Sequence, residues 1–400
     1  MTSCLTYAKT VMKEASPIKI ALSTFEYDRN LIGGAGVYAL ELSRWLQKLC
    51  ELTVFSCGVY QSPPDAFAAS WYGTGAANVR YHRLPAFLRS HGIAAFFYYA
   101  LSQKVPAGND VFLVNDLSQG LAVHSDIPIV QILHHLPSSD LDKSPTSTRW
   151  RVAIRTQAAL EKRALKRAQA IICQSRDTME NAAARYPEHA AKFRVIPNGV
   201  DVYRFAPAKG SAESTDSETP LLLCVARGLE VRKGLSYLIE AFAAVQRVSA
   251  AELVIVGKDS QGLRGQLLAQ ARALGVADLI TLIDSVSQRD LISLYQRATM
   301  TVVPSVLEGF SRPALESMAC GSPVVGSAVG AIPELLDENS GVLIPPGDAR
   351  SLASAITDLL QDTKKAKRLG IAARERAVAC FSWDTVAKRV LSVCEQTVSG

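Results

Sequence analysis

Residues 308–316 read Glu-Gly-Phe-Ser-Arg-Pro-Ala-Leu-Glu, with a short apolar run before them and a helix-forming run after them. The apolar run, residues 300–303, predicts a strand, and residues 315–320 predict a helix that Gly321 ends. Pro313 suits the first turn of this helix, where a missing N–H costs no hydrogen bond. The sequence therefore predicts a strand, a glycine turn and the start of a helix.

The start of this helix is a candidate anion site, because the free amides near residues 310–314 are expected to point into a cleft. Glu316 lies about one turn into the helix, and its carboxylate can accept two hydrogen bonds from a vicinal diol. Glu308, before the turn, can reach a second polyol on the same ligand. This arrangement favours a sugar nucleotide. Taken alone, Glu316 could instead complement the helix dipole, and Glu308 could be a solvated loop residue.

The whole pattern, Glu-x7-Glu followed by Ala-Cys-Gly-Ser-Pro-Val-Val at residues 319–325, resembles the signature of retaining glycosyltransferases of family 4, or glycosyl transferase group 1. The resemblance implies an α/β protein with the GT-B fold, in which two Rossmann-like doubly wound domains face a central cleft. It also implies an enzyme that moves a hexosyl unit from a nucleotide diphosphate sugar to an acceptor hydroxyl.

A chain of 400 residues is expected to form two domains. Strand-like and helix-like segments alternate in both halves, which predicts two parallel sheets covered by helices. We expect residues 1–206 to form an acceptor-binding domain, 207–220 a polar linker and 221–380 a nucleotide-sugar domain. The resemblance implies that residues 381–400 form a helix that crosses back to the first domain. The predicted strands are residues 18–24, 52–56, 79–84, 111–115, 127–133, 170–174, 193–196, 221–226, 252–256, 279–283, 300–303, 323–326 and 341–344.

Composition limits the partners and the compartment. The net charge of +6 is modest for this length, so nucleic acid is not expected as a partner, whereas an acidic ligand or an anionic membrane is compatible with it. The eight cysteines include no Cys-x-x-Cys pair and predict reduced, mostly buried thiols. Residues 1–16 lack an apolar signal core, and the longest apolar run, residues 92–101, is about half of what a bilayer span requires. We therefore expect a cytoplasmic protein.

Two cations follow the strand predicted at residues 221–226. Arg227 and Lys233 lie immediately beyond this strand and before a helix. A guanidinium and an ammonium near a helix start suit a diphosphate that departs with developing charge. Ordinary loop charges are the alternative. The family has an Arg and a Lys six residues apart on the diphosphate, and Arg227 and Lys233 keep that spacing. Arg232 is expected to face solvent.

A glycine-rich turn, with Gly33, Gly34 and Gly36, opens a predicted helix at residues 37–48. Glycine permits a close approach of backbone to ligand, and the amides favour an anion. Alone the signal is weak, because such turns also serve packing and the dinucleotide spacing is missing. The resemblance implies that this turn faces the donor from the opposite side of the cleft.

Two histidines, His134 and His135, end the strand predicted at residues 127–133. By position, His134 matches the family histidine that lies near the donor sugar, and His135 is the weaker candidate. A loop histidine with no catalytic task is the alternative. Asp116, which follows the strand predicted at residues 111–115, is a further candidate for the cleft.

An Asp-x-Asp sequence at Asp140 and Asp142 raises the question of a metal, because glycosyltransferases of another fold hold Mn²⁺ or Mg²⁺ in this way. Here it lies in a polar loop and not at the end of a buried strand. We therefore expect neither a metal nor a cofactor. An Asn-Gly turn at residues 198–199 precedes Asp201, which we expect to brace the hinge between the domains.

The resemblance assigns a role to each candidate residue. Glu316 is expected on the ribose, Arg227 and Lys233 on the diphosphate, and Glu308 on the sugar. No covalent nucleophile stands out, so front-side attack is expected, with the leaving phosphate accepting the proton of the acceptor. A nucleotide-sugar epimerase on the same fold and a non-catalytic sugar-nucleotide-binding protein are the alternatives. The predicted catalytic residues are Arg227, Lys233, Glu308 and His134, and the predicted donor-binding residues are Gly33, Gly34, Gly36, Gly309, Phe310, Ser311, Arg312 and Glu316.

Two basic segments of the first half bear on the acceptor. Residues 149–167 carry seven cations against one acid, Glu161, on a predicted helix, and residues 79–104 combine cations with aromatic side chains. Such a surface suits peripheral binding to anionic lipid, and hence a lipid-linked acceptor rather than a soluble glycan or small molecule. The alternatives are that the aromatic residues are core and that the basic face is merely solvated.

Overall fold

The computed structural model describes residues 17–27, 34–58, 78–83, 108–116, 126–134, 136, 138, 148–208, 219–259 and 261–400. Several features singled out above lie outside these residues. They are Gly33, His135, Asp140, Asp142, most of the predicted linker and, of the basic aromatic segment, everything after residue 83.

The first half forms a seven-stranded parallel sheet in the order β3-β2-β1-β4-β5-β6-β7. Its central strands are buried on both faces, which explains why they are continuous apolar runs without alternation. The strands are β1 (Lys19–Thr24), β2 (Glu51–Gly58), β3 (Val79–Arg83), β4 (Val111–Val114), β5 (Ile129–Leu133), β6 (Ala170–Cys173) and β7 (Phe193–Val195), and the described helices are α1 (Gly34–Leu46), α2 (Thr148–Arg167) and α3 (Arg176–Arg185).

The second half forms a six-stranded parallel sheet in the order β10-β9-β8-β11-β12-β13. Every strand predicted from the sequence is present in one of the two sheets. The strands are β8 (Leu221–Gly228), β9 (Glu252–Lys258), β10 (Ile280–Ile283), β11 (Met300–Val303), β12 (Val324–Ser327) and β13 (Val342–Ile344). The helices are α4 (Leu235–Val245), α5 (Arg264–Ala273), α6 (Gln288–Arg297), α7 (Arg312–Cys320), α8 (Ile332–Leu335), α9 (Ala349–Gln361), α10 (Thr363–Phe381) and α11 (Trp383–Ser399).

Each sheet reverses its strand order at one place, between β1 and β4 in the first half and between β8 and β11 in the second. In doubly wound sheets, ligands bind outside the carboxyl ends of the strands at such a reversal. The start of α1 and His134 lie at these ends in the first sheet, and Lys233 and Glu308 lie at these ends in the second.

The last helix, α11, packs against the first sheet. Its buried residues recur at helical spacing, which gives it one apolar face. Trp383, Val386 and Val390 share one apolar cluster with Ile20 and Leu22 of β1. The end of the chain therefore contributes to the core of the half in which the chain begins.

The chain crosses between the two halves twice, near residue 200 and near residue 382, and the two crossings are joined. Val200 donates its N–H to the Phe381 carbonyl at 2.8 Å, and Trp383 donates to the Val200 carbonyl at 3.2 Å. A Cβ placed at Gly199 would lie 2.4 Å from the Trp383 ring, so only glycine fits there. The Asp201 carboxylate accepts the N–H groups of residues 203 and 204 and so closes the turn that follows.

Among the described residues, no helix is both long enough and apolar enough to cross a membrane. Free thiols that are buried are those of Cys50, Cys173, Cys224, Cys320 and Cys394, and the free thiol of Cys380 is exposed.

Candidate active site

The sequence between β11 and α7 folds as predicted, into a strand, a turn and a helix start. Ser311 is the N-cap of α7, and its hydroxyl accepts the N–H of Ala314 at 3.5 Å. Pro313 lies in the first turn, and Gly321 ends the helix with φ at 79°. The backbone at 309–311 is thereby fixed at the positive end of the helix dipole.

Two amides of this turn are available to a ligand. In the part of the chain that the structure describes, the N–H groups of Phe310 and Ser311 donate to no protein acceptor. Gly309 is exposed, and a Cβ placed there would meet no atom within 4 Å. A helix start with free amides and open space above it is an anion and hydroxyl site.

Glu308 is buried and paired, so the alternative of a solvated loop residue is wrong. Its Oε2 accepts from Lys233 Nζ at 2.6 Å and from Ser305 Oγ at 3.2 Å. The Lys233 and Glu308 side chains are only 13% and 8% exposed. Water therefore solvates neither charge well, and each is stabilised by the other. Lys233 therefore links the end of β8 to the turn before α7.

Two glycines enclose the turn that carries Glu308. Gly234 has φ at 67°, and a Cβ there would lie 1.9 Å from the Pro304 carbonyl oxygen. Gly330 has φ at 53°, and a Cβ there would lie 1.9 Å from the Glu308 carbonyl oxygen. At both positions glycine is required by the close approach of backbone as well as by φ.

A cleft with about 220 Å³ of empty volume lies at this turn. Lys233, Glu308 and Ser311 line it together. Arg227 does not: its side chain is exposed at the end of β8 and pairs with no other described residue. Arg232, expected to face solvent, is 41% exposed and forms an ion pair with Glu230.

Glu316 is buried on α7, and two donors hold its carboxylate. Oε2 accepts from the Tyr295 hydroxyl at 3.1 Å, and Oε1 accepts from Arg312 Nη2 at 3.0 Å. Burial raises the pKa of Glu316, and Arg312 opposes this shift. The sequence analysis missed Tyr295, because a tyrosine on the apolar face of α6 is indistinguishable from ordinary core.

A second cavity lies where α7 meets the first half and the hinge. Glu316, Arg312, Glu41, Arg204 and Trp383 are among its lining residues. Glu41 Oε1 accepts from Arg204 Nη1 at 3.2 Å, while its buried Oε2 has no partner among the described residues. The sequence analysis missed Glu41, although an acid within the otherwise apolar run of α1 was a usable signal.

His134, at the end of β5, is held within the first half. Its Nε2 lies 2.8 Å from Asn115 Oδ1, and its ring meets the Tyr38 ring edge-on, with 5.0 Å between centroids. The Asn115 amide nitrogen donates to Thr24 Oγ1 and to the Ala35 carbonyl, so its oxygen is the acceptor and His134 Nε2 carries the hydrogen.

Burial lowers the pKa of His134 to about 4, and a hydrogen bond with Gln174 partly offsets the shift. The unfolded chain, with a histidine pKa of about 6.5, therefore binds more protons between pH 6.5 and 4. The contribution to stability is complete above pH 6.5 and is lost as the pH falls toward 4. We expect the free energy of unfolding to fall more between pH 7 and pH 5 in the wild type than in His134→Gln, measured by denaturant titration. Equal pH dependence in the two proteins would contradict this.

The glycine turn before α1 is described only in part. Gly34 begins α1, and a Cβ there would meet nothing within 4 Å, so packing against described residues does not require it. Gly36 is buried in the helix. Asp116, a candidate for the cleft, has a structural contact instead, because its carboxylate accepts the Phe25 N–H at 2.7 Å.

Two family models match this chain. Glycosyltransferase Family 4 matches residues 32–204, and Glycosyl transferases group 1 matches residues 209–376. The MMP alpha-(1->4)-mannosyltransferase of Mycolicibacterium hassiacum is 29% identical over 68% of this chain and 66% of its own length. The alpha-maltose-1-phosphate synthase of Mycolicibacterium smegmatis is 29% identical over 94% of this chain and 98% of its own length.

Solved structures agree on the architecture. Sucrose-phosphate synthase from Thermosynechococcus elongatus superposes with a TM-score of 0.75 at 25% identity, and covers 96% of this chain and 99% of its own. Anabaena HepE, solved with UDP, superposes with a TM-score of 0.70 at 20% identity, and covers 95% of this chain and 100% of its own.

Two parallel doubly wound sheets, with the last helix packed on the first sheet, define a GT-B protein. The chain belongs to the group 1 glycosyltransferases, family 4, and is a glycosyltransferase. The family and the fold expected from the Glu-x7-Glu pattern are confirmed.

Proposed function

We propose that this enzyme transfers a hexosyl unit, with retention, from a nucleotide diphosphate sugar to an acceptor hydroxyl. The observation that carries the proposal is the buried Lys233–Glu308 pair beside the free amides of Phe310 and Ser311. A cation, a carboxylate and two N–H groups around one cleft match the charges and hydroxyls of a sugar diphosphate.

Each group has a distinct task in this proposal. Lys233 and Arg227 bind the diphosphate, and the Phe310 and Ser311 amides with Glu308 bind the sugar. Glu316 accepts the ribose hydroxyls, and Tyr295 and Arg312 fix the orientation of its carboxylate. His134 presents a neutral imidazole above about pH 5 from the first half, because burial holds its pKa near 4.

The proposed reaction is a front-side displacement at the anomeric carbon. The bond from this carbon to the phosphate oxygen breaks, the bond to the acceptor oxygen forms on the same face, and the acceptor proton passes to the departing phosphate. Lys233 and Arg227 stabilise the charge that develops on the leaving group. Glu308 already accepts from Lys233 and Ser305, which favours a binding role for it over a nucleophilic one.

Relatives support the hexosyl assignment. One relative is named a mannosyltransferase and another a maltose-1-phosphate synthase, and neither name describes an epimerase. The epimerase alternative is therefore not favoured. The nucleotide base, the hexose and the acceptor are determined in such enzymes by loops around the cleft.

A thermal-shift screen of UDP-, ADP- and GDP-hexoses tests the proposal first. A ligand at 100 times its dissociation constant adds about 2.7 kcal/mol of stability. The donor that shifts the melting temperature then enters an assay for nucleoside diphosphate release with a panel of acceptors. Release that depends on acceptor is the expected result. Isomerised donor without release indicates an epimerase, and binding without any reaction indicates a sugar-nucleotide sensor.

We propose that transfer requires no metal ion. No group of three His, Cys, Asp or Glu side chains among the described residues is arranged to hold a metal, while Asp140 and Asp142 lie outside that part of the chain. We expect activity to survive excess EDTA, because Lys233 and Arg227 supply the positive charge. Complete loss with EDTA and recovery with Mn²⁺ would instead implicate Asp140 and Asp142.

We also propose peripheral contact with anionic membranes through α2, and hence a lipid-linked acceptor. Lys162, Arg163 and Lys166 are exposed on this helix. Its one acid, Glu161, points inward and accepts from Ser138 and from the Tyr186 hydroxyl. The exposed face of α2 is therefore cationic without a compensating carboxylate, and each cation near anionic lipid contributes about 1 kcal/mol.

Sedimentation with liposomes at low salt tests this contact. We expect the protein to pellet with anionic vesicles and to remain in the supernatant with neutral ones. Replacing Lys162, Arg163 and Lys166 by glutamine should restore recovery in the supernatant. Equal recovery with both vesicle types in the wild type removes the proposal and leaves a soluble acceptor.

A further inference from the structure

A carboxylate of the second half caps a helix of the first half. Glu334, on α8, accepts the backbone N–H of Arg176 at 2.6 Å and that of Asp177 at 3.3 Å through the same Oε1. These are the first two N–H groups of α3, which have no partner within their own helix. Ser175 caps the next one, because its Oγ accepts the Thr178 N–H at 3.0 Å. The start of α3 is therefore fully hydrogen-bonded only when the two halves meet.

Within the second half, the residues just before Glu334 contact the predicted donor-binding turn at residues 308–311. Ala331 donates its N–H to the Gly309 carbonyl at 3.2 Å, and the Gly330 backbone lies directly against the Glu308 carbonyl. Arg376 supports the segment from behind, with its Nη2 donating to the Glu334 carbonyl at 3.0 Å. A movement of Glu334 is thus transmitted to the turn that holds Glu308.

On the other side, the start of α3 lies next to the predicted first-half site. The chain runs from β6 through Gln174 and Ser175 into α3, and Leu133, which precedes His134, pairs with Cys173 of β6. The Glu334 contact therefore joins the His134 side of the cleft to the Glu308 side.

The contact between Glu334 and the start of α3 is weak enough to break when the two halves separate. Glu334 is half-buried, and burial raises its pKa while the Arg176 and Asp177 N–H groups oppose the shift. In an open form both the carboxylate and the amides would be hydrated, so the net gain on closing is modest. Cleft enzymes that release product by domain opening need contacts of this kind.

We propose that Glu334 is a positioning residue that holds the two halves closed over the donor and sets the distance between the His134 side and the Glu308 side. This rests on the proposed function. Glu334 is not among the residues that line either of the two cavities described above. Its loss should therefore affect the chemical step more than the affinity for the donor, because Lys233, Glu308 and Glu316 of the second half supply most of the proposed donor contacts.

Glu334→Ala tests the proposal in the full chain with the donor found by the thermal-shift screen. We expect kcat to fall about tenfold, the effect of losing a charged acceptor for two N–H groups, with the donor KM changed less than twofold. Glu334→Gln keeps an oxygen acceptor without the charge and should recover part of kcat. Glu338→Ala removes an exposed glutamate four residues away and should match the wild type.

Small-angle scattering with saturating nucleoside diphosphate gives a readout independent of catalysis. We expect a larger radius of gyration for Glu334→Ala than for the wild type and Glu338→Ala. Ser175→Ala, which loosens α3 without touching Glu334, should not expand the molecule. The proposal is overturned if Glu334→Ala equals Glu338→Ala in kcat and size, or if Ser175→Ala reproduces its effects. Absence of sugar transfer in the wild type would contradict the proposed function. The scattering measurement would still show whether Glu334 holds the two halves closed.

Discussion

We expect Lys233→Ala to lower turnover by about two orders of magnitude, the size seen when one donor to a developing anion is removed. The ammonium of Lys233 is predicted to meet the departing diphosphate, and it also neutralises Glu308 at 2.6 Å. Without it, the buried carboxylate keeps only Arg232, whose Nη1 lies 4.0 Å from Glu308 Oε1, so the variant should lose stability as well as activity.

Arg227→Ala should lower turnover to a similar extent but leave stability unchanged. The Arg227 side chain is exposed and pairs with no described residue, so its removal breaks no hydrogen bond or ion pair in that part of the chain. The pair of variants thus separates the role toward the ligand from the role in the fold. Turnover is measured as nucleoside diphosphate release, and the free energy of unfolding is measured by denaturant titration.

Lys364→Ala, on the exposed surface of α10, is the matched control for the loss of one cation. It should match the wild type in both measurements. Near-wild-type turnover in both Lys233→Ala and Arg227→Ala would disprove the diphosphate assignment. A loss of turnover in Lys233→Ala alone would limit the assignment to Lys233.

The second large effect is expected at Gly234, where Gly234→Ala should cost about 4 kcal/mol of unfolding free energy and abolish donor binding. The added Cβ would lie 1.9 Å from the Pro304 carbonyl oxygen, with φ at 67°. One of the two backbone segments must then move. Gly234 is bonded to Lys233, and Pro304 begins the 304–308 turn that carries Glu308. Both groups of the ion pair are displaced together.

Gly275→Ala provides the matched control. Gly275 has φ at 72°, close to that of Gly234, but a Cβ there would meet nothing within 4 Å. Its substitution therefore measures the cost of the left-handed backbone alone, about 1 kcal/mol, and should leave donor binding intact. Similar losses in the two variants would show that the contact with Pro304 is unimportant. Stability is measured by denaturant titration and donor binding by thermal shift.

Much of the site was predictable because it depends on local sequence. The turn between β11 and α7 follows from Gly309, the Ser311 cap and Pro313, all within a few residues of one another. The strands were predictable because parallel strands buried on both faces are continuous apolar runs. Lys233 follows a strand end and lines the cleft as expected, whereas Arg227, predicted on the same grounds, is not among the residues that line it.

The partners of the site residues depend on contacts that are distant in the chain. Lys233 and Glu308 are 75 positions apart, and Tyr295 lies 21 positions from Glu316, so no local pattern links them. Glycines such as Gly234 and Gly330 were not singled out, since a close approach of two backbones is visible only in three dimensions.

By itself, the sequence determined the strands, the helix starts and the residue types of one strand–turn–helix site, because hydrophobic periodicity and capping are properties of short segments. Only the tertiary structure decided that Glu308 is buried against Lys233, that one carboxylate oxygen of Glu41 has no partner among the described residues, and that Glu334 caps a helix of the other half. These facts arise from the packing of two sheets and the crossings between them, which bring together residues that no short segment contains.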